Sequence, residues 1–461
     1  MDKTVLILVA KAAMEPLHIS GAKVLVAVSG GADSMALLDV LCALADEMDI
    51  TLAVGHVNHG LRGEAAERDE AFVQARAEER GLDFFVRHVR VPQNKRQGES
   101  VEEAARRLRY DALGRMRDEA RAQVTALAHH ADDQAETVLM RLIRGASLHG
   151  LGAMRVMTQD ERGTLIRPLL EAKRSDIEAY CRANRIAFAQ DETNDSDEFL
   201  RNKIRRHLIP ILKERYNPAI VDTLFRSAGL WAQESDFIHG MARGAYEAHT
   251  LESEEGRLLK RELFDCHPAI LRQVIVLVLM NLNLPFDSET VERIAGLHGS
   301  QSGRKVPVGE GTAYKSPGGV MVLAYLPPEM TNAVPVAAPG RTATPLGVLT
   351  ASQVICGNPA TGPFTQLVPV GILKGAVIRP WRAGDRMRPM GLRGAKLVSD
   401  ILTDARVPAW QKGQVLVLES GGKILWLVGF CADEAIKVKS GERCMKLEFI
   451  STKIHHVNKD C

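Results

Sequence analysis

The 461-residue chain carries 59 lysines and arginines against 57 acidic residues, a formal net charge of +2, and 46% of its residues are hydrophobic. That length suits two or three domains, each able to bury a core, and the balanced charge excludes a globally basic nucleic-acid binder, so any such signal must be local. The seven cysteines (Cys42, Cys181, Cys266, Cys356, Cys431, Cys444 and Cys461) include no CxxC pair, which argues against a zinc ribbon or an iron–sulfur site and fits free thiols in a reducing compartment. The apolar run Val5 to Ala10 is interrupted by Lys11 and is too short for a signal peptide or a membrane span. A cytoplasmic protein without a membrane partner is expected.

Val24 to Val28 reads as a buried strand, ended abruptly by Ser29-Gly30-Gly31-Ala32-Asp33-Ser34. From Met35 the apolar residues Met35, Leu37, Leu38, Leu41 and Leu44 take helical spacing. Adjacent glycines let backbone N–H groups converge, and the helix that follows adds the positive end of its dipole, so this turn suits a phosphate. It is neither a Walker loop nor a dinucleotide fingerprint. A carboxylate at Asp33 among phosphate-seeking groups makes sense if a cation bridges it to a polyphosphate; the competing reading is an ordinary strand–helix turn with an Asp/Ser helix start. The hexapeptide resembles the PP-loop of ATP pyrophosphatases, which split ATP between its α and β phosphates.

Ile50 to Val57 is a second strand, ending in His56-Val57-Asn58-His59-Gly60-Leu61-Arg62. Residues 64–80 have a charged helical pattern, and Phe84 to Val91 forms a third strand. Alternating strands and helices imply right-handed crossovers and a parallel sheet, with ligands at the carboxyl ends of its strands. His56 then borders the nucleotide. Residues 99–120 form an amphipathic helix bearing Arg106, Arg107, Arg109, Arg115 and Arg117, for which a solvated basic face and an anion-facing role are both open. A fourth strand, Val124 to Ala128, runs into His129-His130-Ala131-Asp132-Asp133-Gln134-Ala135-Glu136-Thr137. Helix capping needs one carboxylate, not this cluster, so it reads as the second half of the active site, sharing metal duty with Asp33 and supplying acid–base or orienting groups.

SGGADS, HVNHGLR, the ARxxRY of Ala105 to Tyr110, HHADDQAET, RPLL at Arg167 to Leu170, Asp191-Glu192-Thr193-Asn194-Asp195 and Arg201-Asn202-Lys203-Ile204-Arg205 resemble, in that order, the tRNA(Ile)-lysidine synthetase family. Thr193 stands where serine is commoner in that family. The resemblance implies a ligase that activates the wobble cytidine of an isoleucine tRNA by adenylation and then joins free L-lysine to it, releasing pyrophosphate and AMP. It implies ATP as substrate and magnesium as cofactor. By the same resemblance Ser29, Gly30, Gly31, Ala32, Asp33, Ser34 and His56 bind ATP, and Asp33 and Asp132 hold the metal. Asp33, His129, Asp133, Glu136, Arg109 and Arg205 are catalytic, and Arg201 meets RNA.

Residues 211–300 read as helices closing with a β-hairpin, which resembles the linker domain of longer family members. Leu326 to Leu346 is proline-rich and reads as a linker. Lys374 to Lys412 holds nine basic residues against three acidic ones, the local patch that RNA backbone binding requires; Arg379, Arg382, Arg386, Arg388, Arg393 and Lys396 are assigned to tRNA. The expected organisation is an α/β parallel-sheet PP-loop domain (1–215), a mostly helical linker domain (216–326), a linker (327–345) and a basic α+β domain (346–461). A homodimer stays open. Two other classes remain: a PP-loop tRNA thiolase, which would carry paired cysteines, and a non-catalytic RNA-binding relative, which would have lost Asp33 or the Asp132–Asp133 pair.

Overall fold

The computed structural model describes residues 4–58, 64–160, 162–189, 200–253, 255–325, 330–357, 362–392 and 394–451. The chain forms two compact units, Met1–Phe237 and Ile238–Cys461. In chain order the first holds α1 (Thr4–Met14), β1 (Lys23–Ala27), α2 (Ala32–Leu44), β2 (Thr51–Asn58), α3 (Glu64–Glu79), β3 (Asp83–His88), α4 (Val101–Glu119), β4 (Val124–Ala126) and α5 (Ala131–Ile143). Then come α6 (Leu148–Leu151), β5 (Met157–Asp160), β6 (Gly163–Ile166), α7 (Arg174–Ala183), α8 (Leu200–Lys203), a π-helical turn (Ile204–Leu208), α9 (Ile209–Arg215) and α10 (Ile220–His249), which runs past the unit's edge.

The sheet order is β3-β2-β1-β4-β6-β5, parallel except for the β5–β6 hairpin at one edge. Val24, Leu25 and Val26 are fully buried because both faces of β1 are covered: Leu37, Leu38 and Leu41 of α2 lie in the core on one face, Leu113 and Met116 of α4 in the core on the other. Strands 1 to 3 proceed one way from β1 and the chain then returns to its other side as β4. The topology therefore switches between β1 and β4, and the crevice outside their carboxyl ends is where such sheets bind ligands. Asp39 on α2 accepts hydrogen bonds from Arg80 (2.8 Å) and from the Tyr180 hydroxyl on α7 (2.9 Å), which braces the helix that follows the glycine turn. The apolar run near the start is α1, burying Leu6, Ala10 and Met14. No helix among the described residues is long and apolar enough to cross a membrane.

The second unit differs from a helical domain with a closing hairpin. Its helices Pro268–Asn281 and Ser288–Gly296 pack against a five-stranded antiparallel sheet made by Thr250–Ser253, Gly256–Lys260, Lys305–Val308, Gly311–Ser316 and Gly319–Leu323. The first two strands are hidden in the Glu-rich TLESEEGRLLK, whose alternation is too short to register. Gly319 marks the pairing: a Cβ there would sit 1.9 Å from the Leu259 carbonyl oxygen. The proline-rich stretch is likewise not all connector, because Val334–Pro335 and Gly340–Thr344 are outer strands of two further sheets, positions where a missing N–H costs no ladder bond. These two sheets enclose a core around Trp426, Leu418 and Leu447.

Trp426→Ala is expected to destabilise the second unit by about 3–5 kcal/mol, whereas Ile450→Ser, at a 65% exposed position, shifts stability by less than about 0.5 kcal/mol; urea titrations followed by circular dichroism separate the two.

Candidate active site at the carboxyl edge of the parallel sheet

The turn after β1 is held by its own side chains. Gly30 takes φ +95°, and Ser34 Oγ donates to the Gly31 carbonyl (3.0 Å) while accepting from the Ser29 N–H (3.1 Å). Gly31 caps α2 without a side-chain bond, so the first N–H groups of that helix stay available to an anion. Ala189, which follows α7, donates to the Gly30 carbonyl. His56, at the end of β2, is 4% exposed and bonds the Val28 carbonyl through Nδ1 at 2.8 Å; burial pushes its pKa below the ordinary histidine value. His56 thus buttresses the turn as a neutral ring.

The two histidines after β4 face different surroundings. His130 caps α5, accepting from the Asp133 N–H, and its backbone N–H bonds Asp133 Oδ2. Its ring lies 3.7 Å from Asp33, 3.9 Å from Asp132 and 3.4 Å from Asp133. Burial opposes its charge, but these carboxylates outweigh burial and raise its pKa. Burial also opposes ionisation of Asp33, and His130, Arg174 and Arg205 reverse that, holding its carboxyl below the usual range. Asp132 is fixed by the Arg174 backbone N–H (3.0 Å) and by Lys213 at 3.7 Å. His129 points to the opposite kind of neighbour: burial, then Arg109, Arg167, Arg201 and Arg106, drive its pKa well below the usual value.

Glu136, 1% exposed, is the most enclosed acid of the cluster. Arg201 Nε donates to it at 2.8 Å and Arg205 Nε at 2.5 Å, while both guanidiniums also reach Asp133, at 2.9 and 3.2 Å. The arginines lie four residues apart, Arg201 on α8 and Arg205 within the turn that widens to π geometry before α9. Pro210 explains the widening, since it has no N–H to continue the regular ladder. Arg201, expected at the RNA, therefore sits in the same ion-pair group as Arg205.

Beside this group four buried polar atoms have no hydrogen-bond partner: Arg109 Nε, Tyr110 Oη, His129 Nδ1 and Arg167 Nε. The guanidiniums of Arg106 and Arg109 lie 5.2 and 5.3 Å from the Tyr110 ring centroid, and Arg167 is anchored by its Nη1 to the Arg155 carbonyl at 2.8 Å. Buried polar atoms are rarely left unpaired, which makes this nook a candidate place for a polar ligand. The sequence motifs alone give no role to Tyr110, Arg167 or Arg174; of the two histidines, His129, expected to be catalytic, lies among guanidiniums and His130 among carboxylates.

In the second unit the basic patch divides. Arg379 is 6% exposed and is spent on Asp385 (2.8 Å) and Glu419 (2.5 Å), so it holds the sheet together and offers nothing to RNA. Lys396 is ion-paired with Asp404. Arg382, Arg386 and Arg388 are exposed. Trp381 and Trp410 donate their indole N–H groups to the Lys412 carbonyl and to Glu255, so both are structural. His59, Arg62, Asp191 to Asp195 and Arg393 lie outside the described residues.

A family model described as a PP-loop domain matches residues 5–212, and one described as the TilS substrate C-terminal domain matches residues 376–449. With the glycine turn at a topological switch point, these define a PP-loop enzyme that uses ATP. The tRNA(Ile)-lysidine synthase of Geobacter sulfurreducens is 36% identical over 448 residues, 92% of each chain, and that of Symbiobacterium thermophilum is 34% identical over 447 residues with the same coverage. A solved TilS C-terminal domain aligns with 27% of this chain and 98% of its own, at 22% identity and a TM-score of 0.25. The chain belongs to the tRNA(Ile)-lysidine synthase family.

Glu136→Ala leaves two guanidiniums without their buried partner and is expected to cost about 3 kcal/mol, read from urea midpoints; Glu136→Gln should restore part of it. His129 has a depressed folded pKa, so the unfolded chain binds more protons below about pH 6.5, and His129's share of stability is complete above that pH and lost as the pH falls. His130, with a raised pKa, contributes with the opposite sign. His129→Asn should therefore flatten the loss of stability between about pH 6.5 and 5.

Proposed function

We propose that the protein catalyses ATP-dependent attachment of free L-lysine to the wobble cytidine of an isoleucine tRNA, through an adenylated cytidine, with release of pyrophosphate and AMP. One observation carries the reading: the glycine turn with Asp33 and the Asp133–Glu136–Arg201–Arg205 group stand on opposite sides of the β1/β4 switch, joined through His130. Ser29 to Ser34 would receive the nucleotide phosphates. Asp33 and Asp132 would hold magnesium with phosphate oxygens completing its shell, because no group of three or more acidic, His or Cys residues among those described could hold a metal ion alone. Bound there, the metal supplies charge neutralisation for the departing pyrophosphate.

The acids and guanidiniums beside His130 suit a zwitterionic amino acid. Carboxylates accept from an ammonium and arginines bind a carboxylate in a fork. Asp133 and Glu136 would orient the lysine ammonium and take its proton, and Arg109, Arg205 and His129 would enclose the base and the charge that develops on its oxygen. Arg382, Arg386 and Arg388 would hold tRNA phosphates at a distance from the chemistry. A sulfur-transfer alternative is disfavoured by Cys181: burial, then Asp33, pushes its thiol up to about 11, the wrong direction for a reactive thiolate.

Incubation with ATP, magnesium, labelled lysine and unmodified isoleucine tRNA should place label on the RNA with release of AMP; label that stays off the RNA refutes the proposal. Asp33→Asn should abolish transfer while keeping tRNA affinity. Replacing Arg382, Arg386 and Arg388 together by Gln should raise KM for tRNA and lower the slope of log KM against log salt by about 2–3, with KM for lysine unchanged.

A further inference from the structure

Within the second unit, the five-stranded sheet of residues 250–323 and the C-terminal strands are joined by one passage of chain, and a single covalent crossing leaves their relative orientation to non-covalent contacts. One of those contacts is a half-buried carboxylate. Glu255, in the turn between Thr250–Ser253 and Gly256–Lys260, accepts from the Trp410 indole N–H at 2.7 Å and from the Gln411 side-chain amide at 3.2 Å. The Trp410 ring packs with Leu258, Tyr314, Met321 and Leu323 of the sheet, its centroid 6.2 Å from that of Tyr314. We propose that Glu255, Trp410 and Gln411 form a clamp that aims the basic surface at tRNA, with Glu255 and Trp410 as positioning residues that fix the angle at which Arg382, Arg386 and Arg388 meet the RNA. The inference rests on the tRNA reading above and names what orients that surface.

A short series of bonds connects the clamp to the basic residues. Trp410 and Gln411 belong to the helical turn Ala409–Lys412, in which the Gln411 and Lys412 N–H groups bond the Pro408 carbonyl at 3.0 and 3.1 Å. The Lys412 carbonyl accepts the Trp381 indole N–H at 2.6 Å, and Arg382 follows Trp381 directly. Asp385 then accepts from the Arg382 backbone N–H at 2.7 Å and from Arg379 at 2.8 Å. The turn that carries Arg382 and leads into Arg386 is thereby pinned to the strand Val377–Pro380. A tilt of residues 409–412 against the five-stranded sheet would pass along these bonds to the exposed guanidiniums. The chemistry suits a joint. The Glu255 charge is met by two neutral donors, an indole and an amide, whose directional bonds set an orientation, and in a half-buried place water competes weakly for them. Aim matters because a second binding surface held at the wrong angle loses effective concentration on RNA already bound elsewhere.

The test is steady-state lysine transfer to full-length isoleucine tRNA by Trp410→Phe, which keeps a ring and removes the donor, by Glu255→Ala and by Glu255→Gln, with thermal transitions recorded in parallel. Trp410→Phe and Glu255→Ala should raise KM for tRNA about tenfold with kcat and KM for lysine unchanged, and Glu255→Gln, whose amide oxygen still accepts, should recover most of the loss. Combined with the triple replacement of Arg382, Arg386 and Arg388, Trp410→Phe should add no further rise, because both act on one surface. An unchanged KM for tRNA, a parallel change in kcat or in KM for lysine, or a rise that multiplies with that of the triple replacement would overturn the proposal. A parent protein that transfers no lysine would refute the proposed function, and the clamp is then read from tRNA affinity by filter binding: about tenfold weakening in Trp410→Phe and Glu255→Ala upholds it, and unchanged affinity overturns it.

Discussion

The arrangement at the sheet edge depends on keeping two acids charged in a place that excludes water. Glu136 and Asp133 sit in the first turns of α5, where the helix dipole favours negative charge, but burial on that scale needs cations as well. Arg201 and Arg205 supply them from a segment some 65 residues further along the chain. The pairing ties the helical end of the first unit to α5 at the sheet edge. Removing one partner would leave the rest exposed to the full desolvation cost. The Pro210-induced π turn belongs to the same constraint, because it carries Arg205 itself.

Around that group the electrostatic field divides sharply. His130 collects the carboxylates of Asp33, Asp132 and Asp133 and is biased toward its charged form, while its neighbour His129 faces guanidiniums and is biased toward neutrality. One side of the crevice is thus suited to cations, the other to anions. An enzyme that must bring a polyphosphate, an ammonium nucleophile and an RNA base together needs both kinds of surface within one crevice, and the short segment between β4 and α5 provides them by setting His129 and His130 in opposite surroundings.

Much of this was legible in the residues. The valine strand determined β1 to within a residue and the change to helical spacing determined α2, which opens three residues earlier than expected, at Ala32 inside the glycine turn, because each is a local preference with few alternatives. The clustered His-His-x-Asp-Asp announced a site because capping alone does not need it. The second unit was less legible. Its outer strands lie in Glu-rich and Pro-rich sequence, where pairing with distant partners, not local propensity, decides the structure.

The sequence by itself determined the family, the parallel sheet and the inventory of charged groups, since motif order and periodicity are properties of the chain. Only the tertiary structure decided which charge met which. Arg379, one of the six basic residues of the C-terminal patch assigned to RNA, is buried between two acids, and Arg201, assigned to RNA as well, is paired with Asp133 and Glu136. His130 rather than His129 bridges the two halves of the site. These outcomes depend on distances between residues far apart in the chain, and a charge acquires its role from the partner and the burial that folding gives it.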